Sequence, residues 1–309
     1  MRDRTETVLG FLVLAAVWGT AFTAIKEGLR YYPPVLFAAF RYDVAGLLMA
    51  GYAVVRLDRC WPADRREWAA VGVGAVLIIA GYHALLFAGE RTTTGATAAV
   101  IVSLSPVLTA VFARLLLPED RIGAVGAAGL LLGLAGVVSI ARPDPGRIAT
   151  GSVGGELLVV GAVASFALGS VLTRRLDADM GIEAFEGWAM IGGAAAMHLL
   201  SLGLGEPVVL PRANVATAWL GYLALVASAG GFLIYFALLD RVGPNAVNLV
   251  SYVAPVFAAL ADLVVRGTVP GPGTLAGFCL IAVAFGLLRR QTLARELAGL
   301  RSGTDRGRG

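Results

Sequence analysis

The apolar positions of this chain neither alternate nor fall into narrow helical stripes. They gather into long, predominantly apolar runs, and ten of these stand at 8–25, 33–55, 68–89, 93–117, 122–141, 157–173, 187–205, 215–239, 245–265 and 272–288. About 17 to 25 apolar residues in a helix cross a hydrocarbon layer of about 30 Å, so each run predicts one membrane-spanning helix. The connections are short, and the longest, 142–156, has no room for a folded domain.

Two of the runs are interrupted from within. VSLSPVLTAVFARLLLPEDR (102–121) and SYVAPVFAALADLVVRGT (251–268) place Pro106 and Pro255 deep in apolar sequence. Proline has no N–H and its ring crowds the carbonyl four residues earlier, here Val102 and Ser251. A carbonyl freed in this way is tolerated inside a membrane where protein covers it or a wet cavity faces it. The prolines read either as matched breaks around a central cavity or as ordinary kinks, since proline is commoner in membrane helices than in soluble ones.

The two stretches belong to a wider offset. Pro106-Val107 aligns with Pro255-Val256, Ala110 with Ala259, and Phe87-Ala88 with Phe236-Ala237, all 149 residues apart. At 148 residues Lys26 meets Arg174, and Ala128, Gly129 and Leu132 meet Ala276, Gly277 and Leu280. One offset recurring across several runs predicts two halves of five spans, 1–147 and 148–290. Because five is odd, the second half enters the membrane from the opposite side. The fold class expected is an all-α integral membrane protein, ten transmembrane helices as an inverted repeat of two five-helix halves. The length of the first run admits a cleaved leader, but the repeat needs it as span 1. Residues 291–309 form a basic tail, with Leu293, Leu297 and Leu300 on one helical face, read either as a helix on the membrane surface or as a solvated end.

Composition agrees with that picture. The chain is 58% hydrophobic and 15% charged, with mean hydropathy +0.78, where soluble domains are about a quarter charged. With the N-terminus inside, 17 of the 25 basic residues fall in inner segments, which puts both termini in the cytoplasm and the protein in the cell membrane. The pI near 9.3 follows from this bias and calls for no nucleic acid. No GxxxxGK[ST] loop is present, so the chain carries no ATP site and no ATPase partner is evident. Cys60 and Cys279 are far apart, without metal-site spacing; no metal and no cofactor are expected. With two histidines, no HExxH and no DxxD pair, an intramembrane enzyme is a remote alternative and a channel-like facilitator a nearer one.

Ionisable groups inside spans are functional candidates by default. Arg41 and Asp43 lie in span 2 on different helical faces, and His83 in span 3 reaches the depth of Arg41. Arg41 reads as an anchor for a substrate carboxylate with His83 or Asp43 titrating, or as a buried cation fixed by Asp43, Glu90 or Glu27. Asp262 and Arg266 read as an ion pair one turn apart at the outer end of span 9. Glu156, Glu186 and Asp240 fall at span ends, where solvation is cheap.

The ten spans, the five-plus-five repeat, WGTAF at 18–22, Arg41 and SLSPVLTAVFARLLLPEDR closing span 4 with Glu119 resemble the EamA-type transporters of the drug/metabolite transporter superfamily. The second half departs at Gly267-Thr268, where the family's glutamate often recurs, and at Phe166 in place of a second tryptophan. The resemblance implies a secondary carrier exporting small metabolites, often amino acids or related compounds, or a drug-like molecule, across the plasma membrane by alternating access around a midplane cavity; a monomer or a homodimer is expected. It places Trp18, Ser105, Pro106, Tyr252 and Pro255 near the centre of the substrate cavity. Trp18 also lies about 15 Å into span 1 by helical rise, away from the interfaces that tryptophan prefers, either packed in the bundle or lining a cavity.

Overall fold

The computed structural model describes residues 2–117, 124–141, 153–211, 215–247 and 249–288. All regular structure among them is helical. The helices are α1 (Arg2–Gly28), α2 (Pro34–Arg56), α3 (Arg65–Glu90), α4 (Gly95–Val102), α5 (Ser105–Leu116), α6 (Ala124–Ala141), α7 (Gly154–Leu176), α8 (Ile182–Gly203), α9 (Val215–Gly243), α10 (Val250–Arg266) and α11 (Pro272–Leu288). Among the described residues, six segments are long and apolar enough to cross a membrane by length and composition: α1, α2, α3, α4 with α5, α7 and α9. Leu47, Val55, Leu199 and Val264 are exposed on the outside of the bundle, a surface suited to lipid. The chain is a multi-pass membrane protein.

Local chemistry fixes the helix ends. Asp64 caps α3 by accepting from the amides of Arg66 and Glu67, each at 2.8 Å. Pro34 opens α2, and Glu206 accepts from the next two amides, Val35 at 3.1 Å and Leu36 at 2.9 Å. The long third and ninth helices share a defect: Gly74–Gly81 in α3 and Tyr222–Gly230 in α9 are wound as π-helix. These stretches stand at the offset read from the sequence, and π segments in membrane helices bring otherwise bonded groups into reach of a neighbour.

Packing follows a reciprocal scheme. α2 lies along α8, and α6 along α11. α1 packs on α10 as α7 packs on α4 and α5, while the π stretch of α9 meets α2 as that of α3 meets α8. Small residues set the closest approach: Gly19 of the WGTAF motif leaves no room for a Cβ against the carbonyl of Ala254 in α10. The core gathers Phe37, Tyr42, Ile79, Phe87 and Met190 between α2, α3 and α8.

Two expectations about the prolines are corrected. The break in span 4 is a turn at Ser103-Leu104, and Pro106 is the second residue of α5, where a missing N–H costs the helix little. The carbonyl of Val102 is not left bare, since the Ser105 hydroxyl donates to it at 2.6 Å. Pro255 stands inside the unbroken α10, five residues beyond its first residue, Val250. Pro118, Glu119, Arg121, the junction at 147–148 and the tail 291–309 lie outside the described residues.

Candidate functional site

A cavity of about 460 Å³ runs through the middle of the bundle, within the range of small-molecule sites. α1 contributes Trp18, Ala21, Phe22 and Ile25; α2 contributes Arg41 and Tyr42; α3 contributes Ile78, Ile79, Tyr82 and His83. The facing wall comes from Ser105, Pro106, Thr109 and Ala110 of α5, Phe166 of α7, Phe232 and Tyr235 of α9, and Val250, Ser251 and Ala254 of α10. Of the residues expected at the centre, Trp18, Ser105, Pro106, Arg41 and His83 come together here. Tyr252, Pro255 and Asp43 do not. The α10 wall is the 250–251–254 face, and Tyr252 and Pro255 project from neighbouring faces, Tyr252 toward the hydrophobic core.

Arg41 is 6% exposed. Its Nε donates to the Ser228 hydroxyl at 2.8 Å, and that serine belongs to the π stretch of α9. No carboxylate pairs with it among the described residues, nor does another acceptor meet the terminal guanidinium nitrogens. The buried cation is therefore positioned by a neutral partner, not neutralised. A planar guanidinium held this way presents its fork to a carboxylate or phosphate.

His83 is fully engaged. Nδ1 lies 2.8 Å from the carbonyl of Ile79 and so carries the proton, while Nε2, 2.6 Å from the Tyr42 hydroxyl, accepts from it. The ring is a neutral bracket for Tyr42. Asp43 faces away and meets His198 at 2.8 Å in a partly exposed pair outside the cavity.

Aromatic rings line much of the wall. Trp18 donates from Nε1 to the carbonyl of Ala227 at 3.2 Å and stands 5.7 Å from Tyr235 and 6.0 Å from Phe232 between ring centres. The tryptophan is thus locked by α9 while one face remains on the cavity. Tyr82 and Phe166 close the other side, 5.4 Å apart.

The two ends of the cavity differ. Arg114 and Arg174 mark one end, where Arg174 is exposed. At the other, Ile25 is 1% exposed and a polar cluster binds α1, α3, α4 and α10 together. Asp262, 1% exposed, accepts from the Thr23 hydroxyl at 2.9 Å and the Ala96 amide at 3.0 Å. Glu27 pairs with Arg266 and Arg30, both at 2.8 Å, and Lys26 donates to the carbonyls of Glu90 and Arg91. The expected Asp262–Arg266 pair is thus replaced by two bridges from α10 to α1, because both side chains reach across the helix interface instead of along their own helix.

Glu186 was read as a solvated span end, and that is corrected. α8 begins at Ile182, ahead of the apolar run, so Glu186 is a full turn inside the helix and lines the cavity, its Oε2 buried and without a hydrogen-bond partner. The apolar run beginning at 187 concealed it.

The EamA-like transporter family matches residues 5–142 and again 153–290. The chain belongs to that family. It is 28% identical to the inner membrane transporter YedA of Escherichia coli K12 over 80% of this chain and 78% of that one. It is 29% identical to the aromatic amino acid exporter YddG of Ancylobacter novellus, covering 92% and 96%, and 28% identical to the transporter YdfC of Bacillus subtilis, covering 90% and 92%. A solved crystal structure at 23% identity covers 95% of this chain and 99% of its own, with TM-score 0.64, a likeness of fold.

Proposed function

We propose that this EamA-family protein is a secondary transporter that exports a small organic acid, an aromatic amino acid as first choice, across the cell membrane by alternating access. The observation that carries this reading is Arg41: a buried, unpaired guanidinium in an aromatic-walled cavity that is bridged shut at one end. A carboxylate bound there gains charge-assisted hydrogen bonds in a low-dielectric site, and the rings of Trp18, Tyr82, Phe166 and Tyr235 offer edge and face contacts to an aromatic side chain. The aromatic amino acid exporter among its relatives supports this substrate class.

The reciprocal packing, the paired π stretches and the twofold family match support ten spans in two inverted halves, 1–147 and 148–290, each moving against the other about the cavity. The arginine-rich connections support a cytoplasmic location for both termini and for the Arg114–Arg174 end. The conformation described is then the inward-open one, ready to load substrate for export. In each cycle the bridges at Asp262 and Glu27 break as the cytoplasmic end closes, which releases substrate outside.

Binding to the purified protein in detergent tests the reading, with phenylalanine compared against phenethylamine, which lacks the carboxylate. Phenylalanine should bind roughly ten- to a hundredfold more tightly, the value of one bond to a charged group. Equal affinity for the two compounds would refute Arg41 as the anchor.

A further inference from the structure

We propose that Glu186 is the proton-exchanging group of the cavity, so that substrate leaves in exchange for a proton; this rests on the carrier reading above. Glu186 is the one carboxylate lining the cavity among the described residues, and its Oε2 is buried with no donor to meet it. An ionised carboxylate without a hydrogen-bond donor or counter-ion is strongly disfavoured in such surroundings. Two events satisfy it: uptake of a proton, or arrival of a cationic group on the substrate.

The groups facing it supply neither. α2 presents Arg41 and Tyr42, α3 presents Tyr82 and His83, α9 presents Tyr235, and α5 and α7 present Arg114 and Arg174 nearer the mouth. Arg41 gives Glu186 no hydrogen bond, its Nε being turned to Ser228 and its terminal nitrogens meeting no acceptor among the described residues, and His83 is satisfied at both nitrogens. The other acids fail as exchange groups by position. Asp43 is spent on His198 outside the cavity. Glu90 has two partnerless carboxyl oxygens but is 0% exposed at the bridged end, and it does not line the cavity.

The exchange balances as follows. In the empty cavity Glu186 is a neutral carboxylic acid. A substrate ammonium that docks there displaces the proton, which passes to cytoplasmic water, and the carboxylate–ammonium pair forms while Arg41 takes the substrate carboxylate. Once the outer end opens, the substrate leaves and the bare carboxylate takes a proton from the outer water. Glu186 then returns to its neutral form, and one proton has entered for each substrate expelled.

The test uses the full chain in proteoliposomes with labelled phenylalanine and the membrane potential clamped at zero. With an acid interior and an alkaline exterior, wild type should accumulate phenylalanine by about tenfold per pH unit, since one unit is tenfold in proton ratio. Glu186→Gln should bind more weakly and lose the response to the pH gradient, while residual counterflow at equal pH persists; Glu186→Asp should keep the response. A Glu186→Gln protein that accumulates as wild type does overturns the proposal. So does wild-type counterflow that ignores the gradient. Absence of phenylalanine counterflow in wild type would instead refute the substrate reading. A second measurement needs no substrate: the infrared difference between empty wild type and Glu186→Gln at neutral pH should contain a protonated-carboxyl band, and its absence overturns the proposal whatever is transported.

Discussion

Asp262→Ala isolates the bridges that shut one end of the cavity. The carboxylate is 1% exposed and accepts two hydrogen bonds, from Thr23 on α1 and from the first turn of α4 at Ala96. Bonds to a charged group are worth about 1.5–3 kcal/mol each, so truncation removes at least about 3 kcal/mol from any state that has both. If the bridges exist in the inward-open state and break when the outer end opens, the whole loss falls on one side of that equilibrium. At 1.4 kcal/mol per factor of ten, the balance moves about a hundredfold toward outward-open. A reporter thiol reads this directly: Ala21→Cys on the cavity wall, with Cys60 and Cys279 changed to serine, labelled in intact cells by a membrane-impermeant maleimide. Wild type should label slowly from outside, and the Asp262→Ala background at least tenfold faster. An unchanged labelling rate with a lowered melting temperature would mean that the contact is kept in both states, and the bridges would be scaffold, not a gate.

Other expectations follow from the same geometry. Pro106→Ala should change stability by well under 1 kcal/mol, because Pro106 opens α5, whereas Pro255→Ala inside α10 should stabilise the protein by up to about 3 kcal/mol; melting temperatures in detergent rank the two, and equal shifts would contradict the helix assignments. Cys60, in the arginine-rich connection between α2 and α3, should react with impermeant maleimide in inside-out vesicles and resist it in intact cells; the reverse pattern inverts the orientation. Asp43→Asn should leave phenylalanine binding within about twofold, since its partner is His198 outside the cavity, and a loss comparable to that of Arg41→Gln would return Asp43 to the site.

Much of the architecture is legible in the sequence because lipid leaves the backbone few choices. The long apolar runs mark where the described helices lie, and the offset that pairs Pro106 with Pro255 also pairs the two π stretches. The site is less legible. Trp18 and Arg41 stand out because each is anomalous for its depth. Glu186 does not, since hydropathy locates the start of an apolar run and not the start of the helix, which lies at Ile182. Arg266 was assigned to Asp262 by spacing along one helix, yet its true partner, Glu27, comes from a helix far away in sequence. Ser228 carries no signal at all; it reaches Arg41 because the π winding of α9 turns it there. The proline breaks were misplaced for a related reason: a helix that starts at Ser105 absorbs Pro106 without cost, which no pattern of apolar residues reveals.

The most direct measurement of the central claim is phenylalanine counterflow in proteoliposomes of wild type and Arg41→Gln. Preloading with unlabelled phenylalanine should drive rapid entry of labelled phenylalanine through wild type. Arg41→Gln, folded to the same melting temperature within a few degrees, should lose roughly ten- to a hundredfold in rate at low substrate, the value of one bond to a carboxylate. Wild-type rates from Arg41→Gln, or no counterflow of any aromatic amino acid through wild type, would contradict the account.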